Sequence, residues 1–69
     1  MEVADAVLEV LAAADEPLHW TVIQDRALRA GAIDPFSTPD VRKAVLEALH
    51  RLKADGRVVT TAKGVYAPA

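Results

Sequence analysis

The order of hydrophobic periodicities along the chain is the feature that most constrains its fold. Apolar residues recur at helical spacing in residues 3–14, 20–30 and 39–54, which predicts three amphipathic helices. Residues 57–67 instead hold two β-prone runs with Gly64 between them, which predicts a hairpin. We therefore expect one α+β domain in which three helices precede a two-stranded β-hairpin.

Prolines set the expected element boundaries. Pro17 disfavours helical geometry at the residue before it and so ends the first helix. Leu18 and His19 are too few for more than a stub of extended chain. Thr38 is placed to cap the third helix and Pro39 suits a first helical position, so we expect that helix to begin at Pro39.

The fold must rest on its apolar core. The 69 residues contain no cysteine, so no disulfide and no thiolate metal site can support the chain. With 52% hydrophobic residues, a single domain over residues 1–69 is expected to form around three helical stripes. These stripes are Val3, Val7, Val10, Leu11 and Ala14; Trp20, Ile23, Ala27 and Ala30; and Val41, Ala44, Val45, Ala48, Leu49 and Leu52.

Charge is distributed unevenly along the chain. Residues 1–34 carry seven acids and two arginines, whereas residues 35–69 carry three acids and six lysines or arginines. The formal net charge of −2 therefore hides an acidic first half and a basic second half. Such polarity matters more for the choice of partner than the total charge does.

The predicted order of helix, extended stub, helix, helix and hairpin is that of a winged helix-turn-helix. Pro17-Leu18-His19-Trp20, Ile23, Thr38-Pro39 and Gly64-Val65-Tyr66 together resemble the HARE-HTH type of winged helix over nearly the whole chain. Members of that group are found joined to restriction endonucleases, in chromatin-associated proteins and in an RNA polymerase accessory subunit. The resemblance implies a DNA-directed or transcription-linked role, with modified DNA among the expected ligands.

The outward face of the third helix is the predicted DNA-binding surface. In a helix-turn-helix the second helix of the motif lies in the major groove, and lysine and arginine neutralise phosphates there. Lys63 at the wing tip would reach an adjacent groove or backbone. The alternative is an ordinary solvated helix face and turn. The candidate DNA-binding residues are Arg42, Lys43, Leu46, His50 and Lys63.

Two apolar residues support a rival interpretation. Val22 and Leu46 fall among polar residues on the second and third helices, and together they would form a dimer or partner-protein patch, although single exposed apolar residues are normal. Trp20 is interpreted chiefly as a core anchor, with contact to a sugar-phosphate edge as the alternative.

Catalysis, cofactors and membrane insertion are not expected. His19 and His50 make no credible metal set, and no glycine-lined elbow supports a catalytic reading of Ser37, His50 and Asp40. No apolar run approaches the length of a membrane span, and the N-terminus is acidic where a signal peptide would be basic. A cytoplasmic location is the expectation, and the lack of cysteine fits a reducing compartment.

Overall fold

A computed structural model describes residues 2–69; of the predicted domain, Met1 lies outside the described residues. The described chain forms three helices and a three-stranded sheet. In chain order, the elements are α1 (Val3–Ala13), β1 (Leu18–His19), α2 (Trp20–Arg29), α3 (Val41–Ala54), β2 (Val58–Ala62) and β3 (Val65–Pro68).

The three helices and the sheet enclose one aliphatic core. Each helix buries most of the apolar stripe that its helical spacing predicts, and the short strand β1 and the first residue of β2 close the remaining side. The stripe residues that are only half-buried are Val3, Ala14, Trp20, Val41 and Ala44. The predicted stripes need three corrections. Ala30 is exposed because α2 ends at Arg29, while Ala6 and Ile33 are buried although no stripe included them. The core is Ala6, Val7, Val10, Leu11, Leu18, Ile23, Ala27, Ile33, Val45, Ala48, Leu49, Leu52 and Val58.

The third helix begins two residues later than the sequence predicts. The Asp40 carboxylate accepts a hydrogen bond from the Lys43 amide at 3.0 Å, so Asp40 is the N-cap and Val41 the first helical residue. A carboxylate is the better cap because it also interacts favourably with the positive end of the helix dipole. Thr38 instead donates its amide to the Asp34 carbonyl, and Pro39 lies outside the helix.

The end of α3 is closed by a Schellman arrangement. The Arg57 amide donates to the Leu52 carbonyl, and the Gly56 amide donates to the Lys53 carbonyl. Gly56 adopts a φ of 75°, a left-handed conformation that glycine reaches without a Cβ penalty. The chain thereby leaves α3 and enters β2 within three residues.

The wing is part of a three-stranded sheet rather than an isolated two-stranded hairpin. The strand order is β1-β3-β2 with both pairs antiparallel, so the predicted stub of extended chain forms the third strand. Leu18 lies opposite Tyr66, and His19 lies opposite Val65. An isolated hairpin is marginally stable in water, and pairing with β1 attaches this one to the start of α2.

Candidate nucleic-acid interface

The amino-terminal end of α3 holds the first candidate cation, Arg42. Its guanidinium carbon lies 5.5 Å from the centroid of the Trp20 ring, within the range of a cation–π interaction. Trp20 is half-buried: it packs against the core and still presents its ring to Arg42. The interpretation of Trp20 as a core anchor is thus confirmed, and its ring also contacts a surface cation. Contact with a sugar-phosphate edge stays a prediction.

The start of α2 supports the tip of the wing. The Trp20 amide donates to the Gly64 carbonyl at 2.9 Å. His19 caps α2, since its Nδ1 accepts from the Thr21 amide at 3.3 Å and lies 2.8 Å from the Thr21 hydroxyl. The His19 and Trp20 rings lie 5.7 Å apart, centroid to centroid. The turn of the wing is thus hydrogen-bonded directly to Trp20, whose ring contacts Arg42.

Gly64 allows this close approach between wing and helix. Its φ of 73° belongs to the left-handed region, and a Cβ added there would lie 2.9 Å from His19 Nε2. Lys63 precedes it in the two-residue turn that joins Ala62 to Val65 and is exposed. Glycine at this position therefore lets the wing turn, of which Lys63 is the other residue, approach the start of α2 closely.

We call the surface formed by His19, Trp20, Arg42, Lys43 and Lys63 the α3–wing face. Within residues 2–69 neither Arg42 nor Lys63 forms an ion pair, whereas Lys43 Nζ lies 4.0 Å from Glu47 Oε1 with both side chains well exposed. A pair of this kind contributes little in solvent. The three cations are consequently available to an external anion such as a phosphate.

The remaining predicted site residues lie further along α3. Leu46 is half-buried and lines a hollow of about 300 Å³ together with Asp40, Arg42, Lys43 and Glu47. His50 is exposed about one turn beyond Leu46. The sequence missed His19 as a member of this surface, because the pairing of β1 with β3 that brings it to the wing is a tertiary event.

The two residues of the predicted partner patch are less exposed to solvent than expected. Val22 is 37% exposed and Leu46 is half-buried, whereas Phe36 is 98% and Val59 is 44% exposed. Neither Phe36 nor Val59 belongs to a helical stripe, so the hydrophobic spacing gave no prediction for either residue. The largest exposed apolar side chain in the described chain thus lies in the α2–α3 connection.

The polar residues of that connection have local structural roles. Ser37 donates its hydroxyl to Asp34 at 2.8 Å, and this bond, with a further one from the Phe36 amide, lowers the pKa of Asp34 below its ordinary value. Ser37 is thus hydrogen-bonded to Asp34, and Asp40 caps α3. Neither of these hydrogen bonds involves His50. Over residues 2–69, no group of three or more histidine, cysteine or acidic side chains is arranged to hold a metal ion.

The fold defines the class of this molecule: it is an α+β domain of winged-helix-like architecture, with three helices and a three-stranded antiparallel sheet. Comparisons with protein-family models, with curated proteins and with solved structures found no match. None of the helices between residues 2 and 69 combines the length and apolar character that crossing a bilayer requires.

Proposed function

We propose that this domain binds double-stranded DNA, modified DNA included, through α3 and the wing, without catalysing a reaction. Its place would be in transcription regulation or DNA processing, as the resemblance to HARE-HTH domains implies. We place it in the cytoplasm, which the lack of cysteine fits. The observation that supports DNA binding most is the contact series from Arg42 through Trp20 to the Gly64 turn. It joins the start of the predicted recognition helix to the wing tip.

The geometry suits the way in which helix-turn-helix domains read a duplex. The first turns of the second helix of the motif approach the base edges, and Arg42 and Lys43 occupy the first turn of α3. Lys63 extends the same surface at the wing turn. An arginine that is already oriented by an aromatic ring loses less conformational entropy when it binds a phosphate or a guanine.

The charge distribution limits the affinity. The net charge is −2 and the interface is a single small module. The dissociation constant for non-specific DNA at physiological salt should therefore be about 10⁻⁴ to 10⁻⁶ M, the range typical of non-specific binding. Arg42, Lys43 and Lys63 would neutralise about three phosphates. The logarithm of the association constant should then fall with the logarithm of salt concentration at a slope of about −3, at roughly −0.9 per contact.

The test is a titration of a labelled random duplex with the whole chain at two salt concentrations. Lys43→Glu should weaken binding to every duplex and flatten the slope by about one unit or more. Arg26→Glu is the matched control: it changes net charge equally, but Arg26 lies beside α1 on a different surface, and it should leave the slope nearly unchanged. The absence of binding to any duplex at low salt, modified duplexes included, would refute the proposal.

A second candidate function is protein interaction within a transcription or DNA-processing assembly. The 37% exposed Val22 and the half-buried Leu46 are the residues on which it rests, since exposed apolar surface marks interaction sites. The two functions respond differently to salt, because contacts with phosphates release counterions and an apolar interface does not. A Val22→Ser variant that binds DNA normally and loses a protein partner would identify this second function, since Val22 is exposed and is not among the candidate DNA-binding residues.

A further inference from the structure

His19 is the side chain of the α3–wing face whose charge the proposed function leaves unused. It is exposed and follows the buried Leu18 in β1. Lysine and arginine stay cationic over the physiological range, whereas an imidazole ordinarily changes charge between about pH 5 and pH 8. The number of cations on this face therefore depends on whether His19 is protonated.

The ring of His19 lies close to residues at both ends of the α3–wing face. On one side, a Cβ added to Gly64 would lie 2.9 Å from His19 Nε2, and Gly64 follows Lys63 in the wing turn. On the other side, the centroids of the His19 and Trp20 rings lie 5.7 Å apart, and Arg42 lies 5.5 Å from the Trp20 centroid. His19 thus belongs to the stretch of surface that joins the wing turn to the start of α3.

Thr21 allows the ring to hold its place in either charge state. In the neutral ring, Nδ1 accepts from the Thr21 amide at 3.3 Å, so the ring proton is on Nε2. The Thr21 hydroxyl lies 2.8 Å from the same Nδ1, and a hydroxyl can donate to a neutral ring or accept from a protonated one. Protonation of His19 therefore gives up the longer hydrogen bond, from the amide, and keeps the shorter contact.

The elements next to His19 contribute cations to its surroundings. The wing turn holds Lys63, and α3 brings Arg42 to the far side of the indole ring that His19 contacts. Strand β3 has Tyr66 as its titratable residue, which lies opposite Leu18 and therefore on the other face of the sheet. Positive neighbours disfavour a further positive charge while no anion is near.

The acids of the neighbouring helices are engaged elsewhere. Asp25 of α2 pairs with Arg29 at 3.0 Å, and the Asp40 carboxylate caps α3. Within residues 2–69, no ion pair includes His19. A protonated His19 therefore has no carboxylate partner in the described chain, and an external phosphate would supply the missing negative charge.

We propose that His19 is a further DNA-binding residue, which takes up a proton from solvent and contacts a backbone phosphate when a duplex binds. This inference rests on the proposed function and adds a dependence on pH to it. The phosphate favours the cationic ring that Lys63 and Arg42 by themselves disfavour. Duplex and proton consequently strengthen each other's binding, and the domain holds DNA more tightly in slightly acidic solution.

The experiment measures the affinity of the whole chain for a labelled random duplex at about pH 6 and about pH 8, which span the usual titration of histidine. A salt series at each pH gives the slope. Affinity should be about threefold to tenfold higher at the lower pH, and the slope should steepen by about 0.9, the effect of one further phosphate contact. Calorimetry in two buffers of different ionisation enthalpy, at about pH 7, should record proton uptake on binding.

Two variants assign the proton to a residue. His19→Asn keeps a side chain that caps helices well and carries no charge at any pH, so its affinity and slope should be the same at both pH values. His50→Gln removes the other histidine of the chain and should keep the difference between them. In the wild type, which avoids any effect on folding, the Cε1 proton resonance of His19 should shift towards its protonated position when duplex is added at about pH 7.

The outcomes separate this inference from the proposed function. A duplex that binds with equal affinity and slope at both pH values would overturn the role of His19 and leave DNA binding in place. A dependence on pH that His19→Asn retains, or that His50→Gln abolishes, would overturn it as well, because the proton would then bind elsewhere. No binding at either pH would refute the proposed function and this inference together.

Discussion

The first and third helices pack against the same core with the same number of buried residues, but the surfaces that they expose to solvent carry opposite charges. Each buries four residues, Ala6, Val7, Val10 and Leu11 on α1 and Val45, Ala48, Leu49 and Leu52 on α3. Outside the core, α1 exposes Asp5 and Glu9, with Glu2 exposed just before it, while α3 begins with the exposed pair Arg42 and Lys43. Packing thus determines the architecture, and the residues left outside determine which partner each surface attracts.

The two helices also differ in how their first turns are fixed. At α1 the residue in the N-cap position, Glu2, makes no capping hydrogen bond with its side chain. At α3 the Asp40 carboxylate caps the helix and Arg42 is oriented by Trp20. The amino-terminal end of α3 thus has a side-chain cap and an aromatic contact to its first arginine, and the start of α1 has no side-chain cap.

The largest effect is expected where the two helices share the core. Leu49 is fully buried, so Leu49→Ala should lower the free energy of unfolding by about 2 to 5 kcal/mol, which is a large share for so small a domain. Leu46→Ala on the same helix is the matched control, and it should cost roughly half of that or less because Leu46 is only half-buried. Chemical denaturation measures both; equal losses would mean that the helical register is wrong.

A smaller effect is expected from alanine substitution at two glycines with left-handed backbone conformation, Gly56 at the end of α3 and Gly64 in the wing turn. Gly56→Ala should cost about 1 to 2 kcal/mol, since it forces a left-handed backbone with no steric conflict. Gly64→Ala should cost more, because its Cβ also meets His19, and it should shift the resonances of His19 and Trp20. Thermal unfolding and NMR spectra of the two variants provide the comparison. Identical behaviour would show that the wing does not press on the start of α2.

The smallest effect is expected from the acidic surface. Glu2 shares a hollow with Glu47 and Arg51 of α3, so it does not lie on a separate surface, whereas Glu9 lies beside Arg26. Glu9→Gln should change duplex affinity by less than about threefold, because exposed charges beyond a Debye length are screened. Fluorescence anisotropy at moderate salt measures this. An increase as large as the decrease caused by Lys43→Glu would mean that the acidic and basic surfaces do not act separately.

Helical spacing was sufficient to predict most of the fold. The buried stripe of α3 was predicted residue by residue at Val45, Ala48, Leu49 and Leu52, because a long amphipathic segment leaves little choice of face. The start of α3 was wrong by two residues, since Thr38 and Asp40 are both acceptable caps and the Asp34 turn engages the former. When two residues are equally suitable as caps, contacts with neighbouring residues determine which of them begins the helix.

Long-range pairing accounts for what the sequence did not predict. The strand β1 has two residues, too few for a periodicity, and it exists because β3 pairs with it. The contact of Arg42 with Trp20 depends on how α2 and α3 pack. By contrast, the wing turn at Lys63 and Gly64 was predicted, since glycine between two β-prone runs is a strong local signal.

The central claim is that the α3–wing face, and not α1, meets the duplex. The most direct measurement is an NMR titration of the isotope-labelled chain with a short random duplex at low salt. We expect the amides of Arg42, Lys43 and Lys63 and the indole N–H of Trp20 to shift progressively, while the amides of Asp5 and Glu9 stay in place. Shifts confined to α1, or no shift at a saturating duplex concentration, would contradict the account.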